Sequence, residues 1–128
     1  MRYKNKIMER LTRKEEEIMQ VLWRLKKAFV KEIVKELPNP KPHYNTVSTL
    51  IRKIEDKQIA DHETFGHTYR YFPLVSKNDY ARMFLKKTVS NYFGNSYKEL
   101  VSFFVKEEKL SEKDLKDILK MIKKRKKK

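Results

Sequence analysis

Hydrophobic residues recur at helical spacing in the first half of the chain. The first helix is predicted to begin at Thr12, because Glu15 three residues later completes a capping-box pattern ahead of an apolar stripe that includes Leu22. A second, shorter helix fits the apolar positions of residues 30–37. It ends where prolines remove backbone donors and push their neighbours out of the helical region, at Pro38, Pro40 and Pro42.

A third helix is predicted over residues 44–57. Its apolar stripe follows the i, i+3, i+4, i+7 pattern and consists of Val47, Leu50, Ile51 and Ile54. At 100° per residue, the opposite face and its flanks carry short hydrogen-bonding side chains and cations: Asn45, Thr46, Ser48, Thr49, Arg52 and Lys53. Such side chains suit base edges and phosphates in the major groove of DNA. Arg52 fits either a guanine or a phosphate, and an ordinary solvated helix face is the alternative interpretation.

The pattern then changes to one rich in β-branched and aromatic residues. Residues 59–64 and 69–74 are predicted to be strands, and Gly66 lies in the turn between them. Three helices followed by a hairpin is the order of a winged helix-turn-helix, in which the third helix reads DNA. His67 and Arg70 are then candidates to contact phosphate or the minor groove. Tyr69 and Tyr71 share one strand face and are expected to pack on the helical core.

The second half of the chain is predicted to form three more helices. Ser76 with Asp79 begins the first, a break at residues 94–95 ends it, and Ser111 with Asp114 begins the last. About 45 residues cannot easily bury the apolar surface of these helices alone. We therefore expect a homodimer whose contacts involve Tyr80, Phe84, Tyr97, Leu100, Val101, Phe104, Leu115, Ile118, Leu119 and Ile122.

These elements predict a mostly α (α+β) fold in three parts. Residues 1–75 form a winged-helix DNA-binding domain, residues 76–122 a helical dimerisation domain, and residues 123–128 a basic tail that is expected to be disordered. The tail either adds non-specific DNA affinity or serves only solubility.

Composition favours a polyanionic partner. The 128 residues carry 32 Lys+Arg against 17 Asp+Glu, a formal net charge of +15. The sequence has no signal peptide and no apolar run long enough to span a bilayer, which predicts a cytoplasmic protein. The 2 glycines leave no room for a phosphate-binding loop, and the absence of cysteine excludes thiolate chemistry.

Catalysis and metal binding find little support in the sequence. The carboxylates of Glu15, Glu16 and Glu17 suit the dipole at a helix N-terminus better than acid–base catalysis. His62 and His67 are a conceivable metal pair, but no third ligand follows by spacing. We therefore expect no enzyme activity, no metal, no cofactor and no small-molecule substrate.

Several stretches, weak individually, match a known family in their order and spacing across residues 11–122. They are EIMQVLW (17–23), EIVKEL (32–37), TVSTLIRKIEDK (46–57), YRYFPLVS (69–76) and LVSFFVKEEKLS (100–111). The chain resembles the BlaI/MecI family of bacterial repressors. The resemblance implies a homodimer that binds inverted-repeat operators through the 43–57 segment and represses transcription. It also implies derepression when a membrane sensor metalloprotease system leads to cleavage in the dimerisation domain.

The chain departs from the family pattern at three places. The family's cleaved bond joins an asparagine to a phenylalanine, and the aligned residues are Phe103 and Phe104, which suit core packing as well as cleavage. Pro42 and Gln58 replace a tryptophan and a glycine at the ends of the recognition helix. The cysteine motif of the copper-responsive relatives is absent. The alternative function is a winged-helix protein that binds another nucleic acid or a protein without reading an operator sequence.

Overall fold

The computed structural model describes residues 10–126, and they divide into two compact units. The first unit ends at Arg82 and the second begins at Met83. The prediction that the chain has no signal peptide rests on its first residues, and residues 1–9 lie outside the described part. In the described part, no helix is long and apolar enough to cross a membrane.

Helix α1, Arg13–Leu25, begins with the predicted capping box. The Glu15 N–H donates to Thr12 Oγ1 at 3.2 Å, and the Thr12 N–H donates to Glu15 Oε1 at 2.8 Å. These two bonds satisfy amide groups that a helix end otherwise leaves unpaired. The predicted start of the first helix is therefore confirmed.

A short strand, β1 (Ala28–Phe29), precedes helix α2 (Val30–Glu36) and the proline-containing turn. The Lys41 ammonium closes this turn, because Nζ donates to the Lys35 carbonyl at 2.6 Å and to the Leu37 carbonyl. Carbonyls at a helix C-terminus lack partners in the helix, so this lysine stabilises the end of α2. Helix α3, Tyr44–Asp56, follows.

The predicted hairpin is present with slightly shifted bounds. Strand β2 is Ala60–Phe65 and β3 is Thr68–Pro73, and Gly66 adopts a φ of +58° in the turn, a conformation that glycine tolerates best. The two strands are antiparallel, with His62 opposite Tyr71. Strand β1 adds to the outer edge of β3 and completes a three-stranded sheet in the order β1-β3-β2.

One apolar core joins the three helices to the sheet. Its fully buried side chains come from the three helices and from positions that flank the hairpin strands, and they include Ile18, Met19, Leu22, Ile33, Val47, Ile51, Ile54, Ile59 and Val75. Close packing of such residues is the main stabilising term in a domain of this size.

Helix α4, Lys77–Tyr92, begins within the first unit. The Trp23 indole N–H donates to the Val75 carbonyl at 2.9 Å, and the Leu11 N–H donates to the Tyr80 hydroxyl at 2.9 Å. The Trp23 and Tyr80 rings lie 5.8 Å apart. These contacts agree with a first unit that extends to Arg82, beyond the predicted boundary at residue 75. They pack Tyr80 against the first unit's core, and its role in dimerisation stays a prediction.

The second unit contains the rest of α4, helix α5 (Tyr97–Lys106) and helix α6 (Glu112–Lys126). Positive φ angles at Gly94 and Asn95 separate α4 from α5. Ser111 and Asp114 cap the start of α6, where each backbone N–H donates to the other residue's side chain.

The prediction of disorder from residue 123 onward is wrong for residues 123–126, which continue α6. Their positive charges lie in the last turn, where the helix dipole favours cations. The last two residues, 127 and 128, lie outside the described part.

Candidate nucleic-acid interface

Helix α3 presents a polar face because its apolar stripe is fixed in the core. Val47, Ile51 and Ile54 have no exposed surface. The side chains predicted to contact DNA therefore point outward: Asn45, Thr46, Thr49, Arg52 and Lys53 are exposed, and Ser48 is half-buried. The structure thus brings six of the eight predicted contact residues together on one helix.

The hydroxyl of Thr49 donates to the Asn45 carbonyl at 3.0 Å. Its hydrogen is therefore used within the helix, and the exposed side chain keeps oxygen lone pairs and a methyl group for other contacts. This arrangement suits a hydrogen bond from a base amino group or contact with a thymine methyl group.

Arg52 and Lys53 are the cations of this face. Neither forms an ion pair with a carboxylate in the described part of the chain. Asp56 lies on the same stripe at the C-terminal end of α3 and is exposed. Because a carboxylate repels phosphate, the N-terminal three turns are the part suited to the major groove, as is usual for recognition helices.

An ion pair holds the C-terminal end of α3. Lys57 Nζ lies 2.5 Å from Glu15 Oε1, and the Glu15 side chain is only 2% exposed. Burial opposes ionisation of Glu15, but hydrogen bonds from Lys57 and the Thr12 amide outweigh it and lower the pKa of the carboxyl group. The sequence predicted the capping role of Glu15 but not this partner, which is 42 residues away.

The hairpin divides its candidate residues between different environments. His67 is exposed in the turn. Arg70 instead lies with its guanidinium carbon 4.7 Å from the centre of the Phe65 ring and with Nη2 3.8 Å from Glu63 Oε2. Lys27 Nζ donates to Glu63 at 2.7 Å, and this bond, together with the charges of Lys27 and Arg70, lowers the pKa of Glu63.

The two tyrosines of β3 also differ. Tyr71 is buried, as predicted, and burial raises the pKa of its hydroxyl. Tyr69 is 45% exposed and stacks on the imidazole of His62, with ring centres 4.1 Å apart. His62 Nδ1 lies 2.8 Å from Glu55 Oε2, so the histidine bonds to α3 and not to His67.

Tyr44 is an exposed residue that the sequence interpretation omitted. It begins α3 and is 51% exposed, next to the predicted contact residues. Its position one residue before Asn45 and three before buried Val47 places it on the flank of the apolar stripe.

The helices of the second unit leave much apolar surface uncovered. Val89 is the one buried hydrophobic residue of this unit in the described part of the chain. Many large apolar side chains are more than one-third exposed, among them Phe84, Tyr97, Val101, Phe103, Phe104, Ile118, Leu119, Met121 and Ile122. The predicted contact residues Leu100 and Leu115 are half-buried.

The chain is similar to known repressors. The model of the penicillinase repressor family matches residues 11–124. A penicillinase repressor of Staphylococcus aureus is 30% identical over 103 residues, 80% of this chain and 82% of that protein. The methicillin resistance regulatory protein MecI of S. aureus strain N315 is 25% identical over 110 residues, 85% of this chain and 89% of that protein.

A solved structure supports the architecture. The solution structure of the DNA binding domain of the repressor BlaI matches 58% of this chain and 92% of that domain, with a TM-score of 0.51 and 24% identity. The predicted fold class, mostly α with an N-terminal winged helix-turn-helix, is thereby confirmed. The relatives are repressors and regulators rather than enzymes. Because the family match extends over almost the whole described sequence, the chain belongs to the penicillinase repressor family.

Proposed function

We propose that this protein is a homodimeric transcriptional repressor that binds inverted-repeat operator DNA through α3. The observation that carries the proposal is the outward face of α3, whose two cations have no carboxylate partner in the described part of the chain and whose other side chains are hydrogen-bonding groups. The family membership and the net charge of +15 support the same function. As a DNA-binding repressor, the protein is proposed to act in the cytoplasm.

The proposed contacts fall into two classes. Asn45, Thr46, Ser48 and Thr49 are suited to base edges, while Lys53 and His67 are suited to the phosphate backbone. Arg52 is long enough to reach a guanine. Arg70 is a weaker candidate, because Glu63, 3.8 Å from its Nη2, offsets part of its charge and its guanidinium lies against the Phe65 ring.

Dimerisation is proposed to occur through the second unit. An apolar surface of this extent on a single chain is typical of a protein–protein interface. A second copy is the simplest partner, because two identical units related by a twofold axis also match the symmetry of an inverted repeat.

The proposal includes relief of repression by cleavage between Phe103 and Phe104, with a membrane sensor metalloprotease system as the source of the signal. Both rings are exposed on a single chain, 46% and 39% respectively. They belong to α5 and stack edge to face with ring centres 5.9 Å apart. Proteases bind extended peptides, so cleavage here requires local unwinding of α5.

Fluorescence anisotropy with labelled duplexes tests the central proposal. The full chain is titrated into the promoter DNA upstream of its own gene and into a scrambled duplex of equal length, at near-physiological salt. We expect a preference of about a thousandfold, as is typical of specific regulators. Equal, weak binding with a steep salt dependence would instead favour a protein that binds nucleic acid without reading an operator.

The matched variants are Asn45→Ala with Thr49→Ala, on the outward face of α3, and Lys86→Ala with Lys98→Ala in the second unit. The first pair should remove most of the sequence preference. The second pair should leave it unchanged, because both lysines are exposed and lie outside the winged helix.

A further inference from the structure

Three side chains of metal-ligand type converge where α3 ends and β2 begins. His62 Nδ1 lies 2.8 Å from Glu55 Oε2 and 4.0 Å from Asp61 Oδ1. One ligand atom from each of the three residues lies within 4.8 Å of the other two. We propose that Glu55, Asp61 and His62 bind one divalent transition-metal ion, of which Zn²⁺ fits best.

The side chains are held in this arrangement by other contacts. The His62 amide donates to Asp61 Oδ1 at 2.8 Å, which turns the aspartate back toward the imidazole of its neighbour. Stacking of the imidazole on Tyr69, with an interplanar angle of 23°, fixes the plane of the ring. Preorganised ligands of this kind lower the cost of ordering a metal site.

The charges around the group also favour a cation. The chain has a formal net charge of +15, yet Glu55 and Asp61 form no ion pair with lysine or arginine in the described part of the chain. Two carboxylates therefore face a single imidazole. A divalent ion in the place of the proton between Nδ1 and Oε2 would neutralise both.

The distances suit metal bonds of ordinary length. Zn²⁺ binds histidine nitrogen and carboxylate oxygen at about 2.0–2.2 Å, which in a tetrahedral site places two ligand atoms about 3.4 Å apart. The observed separations of 2.8 and 4.0 Å lie on either side of that value. Small side-chain rotations reach it, and water completes the coordination. The donor set of one imidazole and two carboxylates favours zinc over calcium or magnesium.

Such an ion would join the recognition helix to the hairpin. Glu55 belongs to the last turn of α3, while Asp61 and His62 follow the first residue of β2. The sequence interpretation compared His62 only with His67. It did not consider Glu55, because the turn between α3 and β2 is what brings the Glu55 carboxylate close to the imidazole.

Titration of the tag-free full chain with zinc sulfate, in competition with a chromophoric chelator, tests the proposal. We expect one equivalent of tightly bound zinc and a higher midpoint of thermal unfolding when zinc is present. Glu55→Gln and His62→Gln should each weaken zinc binding at least tenfold and abolish the thermal shift. His43→Gln is the matched control, because it removes an exposed histidine outside the group.

Glu55→Gln keeps the proposal testable if His62→Gln fails to fold, because the amide preserves size and a hydrogen-bonding oxygen. Absence of zinc binding by the wild-type chain up to about a hundredfold molar excess would overturn the proposal. Equal weakening by His43→Gln and His62→Gln would do the same, since it would indicate scattered binding to surface histidines.

Discussion

A single oxygen of Glu15 connects the start of α1 to Lys57, the residue that follows α3. Glu15 Oε1 accepts the Thr12 N–H at 2.8 Å and lies 2.5 Å from Lys57 Nζ. Lys57 also donates to the Arg10 carbonyl at 3.2 Å. The helix proposed to contact DNA is thus tied to the N-terminal cap of another helix, so damage to this pair should affect both folding and the orientation of α3.

Replacing Glu15 by Gln should lower the free energy of unfolding by about 1–3 kcal/mol at pH 7, because it leaves a largely buried ammonium group without its carboxylate. Urea unfolding followed by Trp23 fluorescence measures this. The chain has one tryptophan, and it packs in the first unit, so the signal reports that unit alone. The control Glu17→Gln removes an exposed carboxylate of the same helix and should change stability by less than about 0.5 kcal/mol.

The same pair predicts a loss of stability in acid. The pKa of Glu15 is lowered in the folded protein from its ordinary value of 4.5. Its contribution is therefore present above about pH 4.5 and is lost as pH falls through the folded-state pKa. The free energies of unfolding of wild type and Glu15→Gln should consequently converge as pH falls below the folded-state pKa of Glu15. A difference that stays constant from pH 7 to pH 3 would contradict the assignment.

Tyr80→Phe should destabilise the first unit by about 1 kcal/mol, because the Leu11 amide loses its acceptor while the aromatic packing on Trp23 is kept. Trp23 fluorescence in urea reports the change. Tyr97→Phe removes the hydroxyl of a tyrosine that is 54% exposed in the second unit and should leave the same transition unchanged. Equal effects of the two variants would show that Tyr80 has no special role in the core.

The sequence predicted those parts of the fold that depend on local periodicity and capping. The stripe of α3 and the cap at Thr12 are readable because residues three or four apart share a helix face. Strand β1 was missed, because two residues are too short to show a period. Lys123 was assigned to a disordered tail on composition, although a lysine is a good helix former at a helix C-terminus.

For the candidate site, the sequence predicted which face of α3 points outward but not the contacts of individual side chains. The outward face of α3 follows from the buried stripe, but the partners of individual side chains depend on contacts between distant segments. Arg70 was assigned to DNA on charge alone, whereas Glu63 and Phe65 across the hairpin engage it. Likewise, nothing in the spacing of Glu15 and Lys57 indicates that they meet.

Arg52→Ala should weaken operator binding by roughly 1–3 kcal/mol and relax preference at one base position if Arg52 reads a guanine. If it binds phosphate instead, affinity should fall uniformly across sequences, and the salt slope should decrease by about 1. Anisotropy titrations against a set of single-base operator variants at several salt concentrations separate the two. Lys86→Ala, which removes an exposed cation of the second unit, should change neither quantity. Unchanged operator affinity in Arg52→Ala would remove this residue from the interface.

Ile122→Glu should convert the proposed dimer into a monomer, because it places a carboxylate in the apolar surface that a second copy is expected to cover. Ile122 is 50% exposed on the single chain, so the substitution should not harm the fold of the unit itself. Sedimentation velocity should show half the mass, and operator affinity should fall because each half-site is then bound separately. Trp23 fluorescence should remain that of the wild type.

Lys120→Glu changes charge at an already polar, exposed position of the same helix and should still sediment as a dimer. A dimer that persists in Ile122→Glu would exclude this face of α6 from the interface, and the dimer contact would then have to lie on another surface of the second unit.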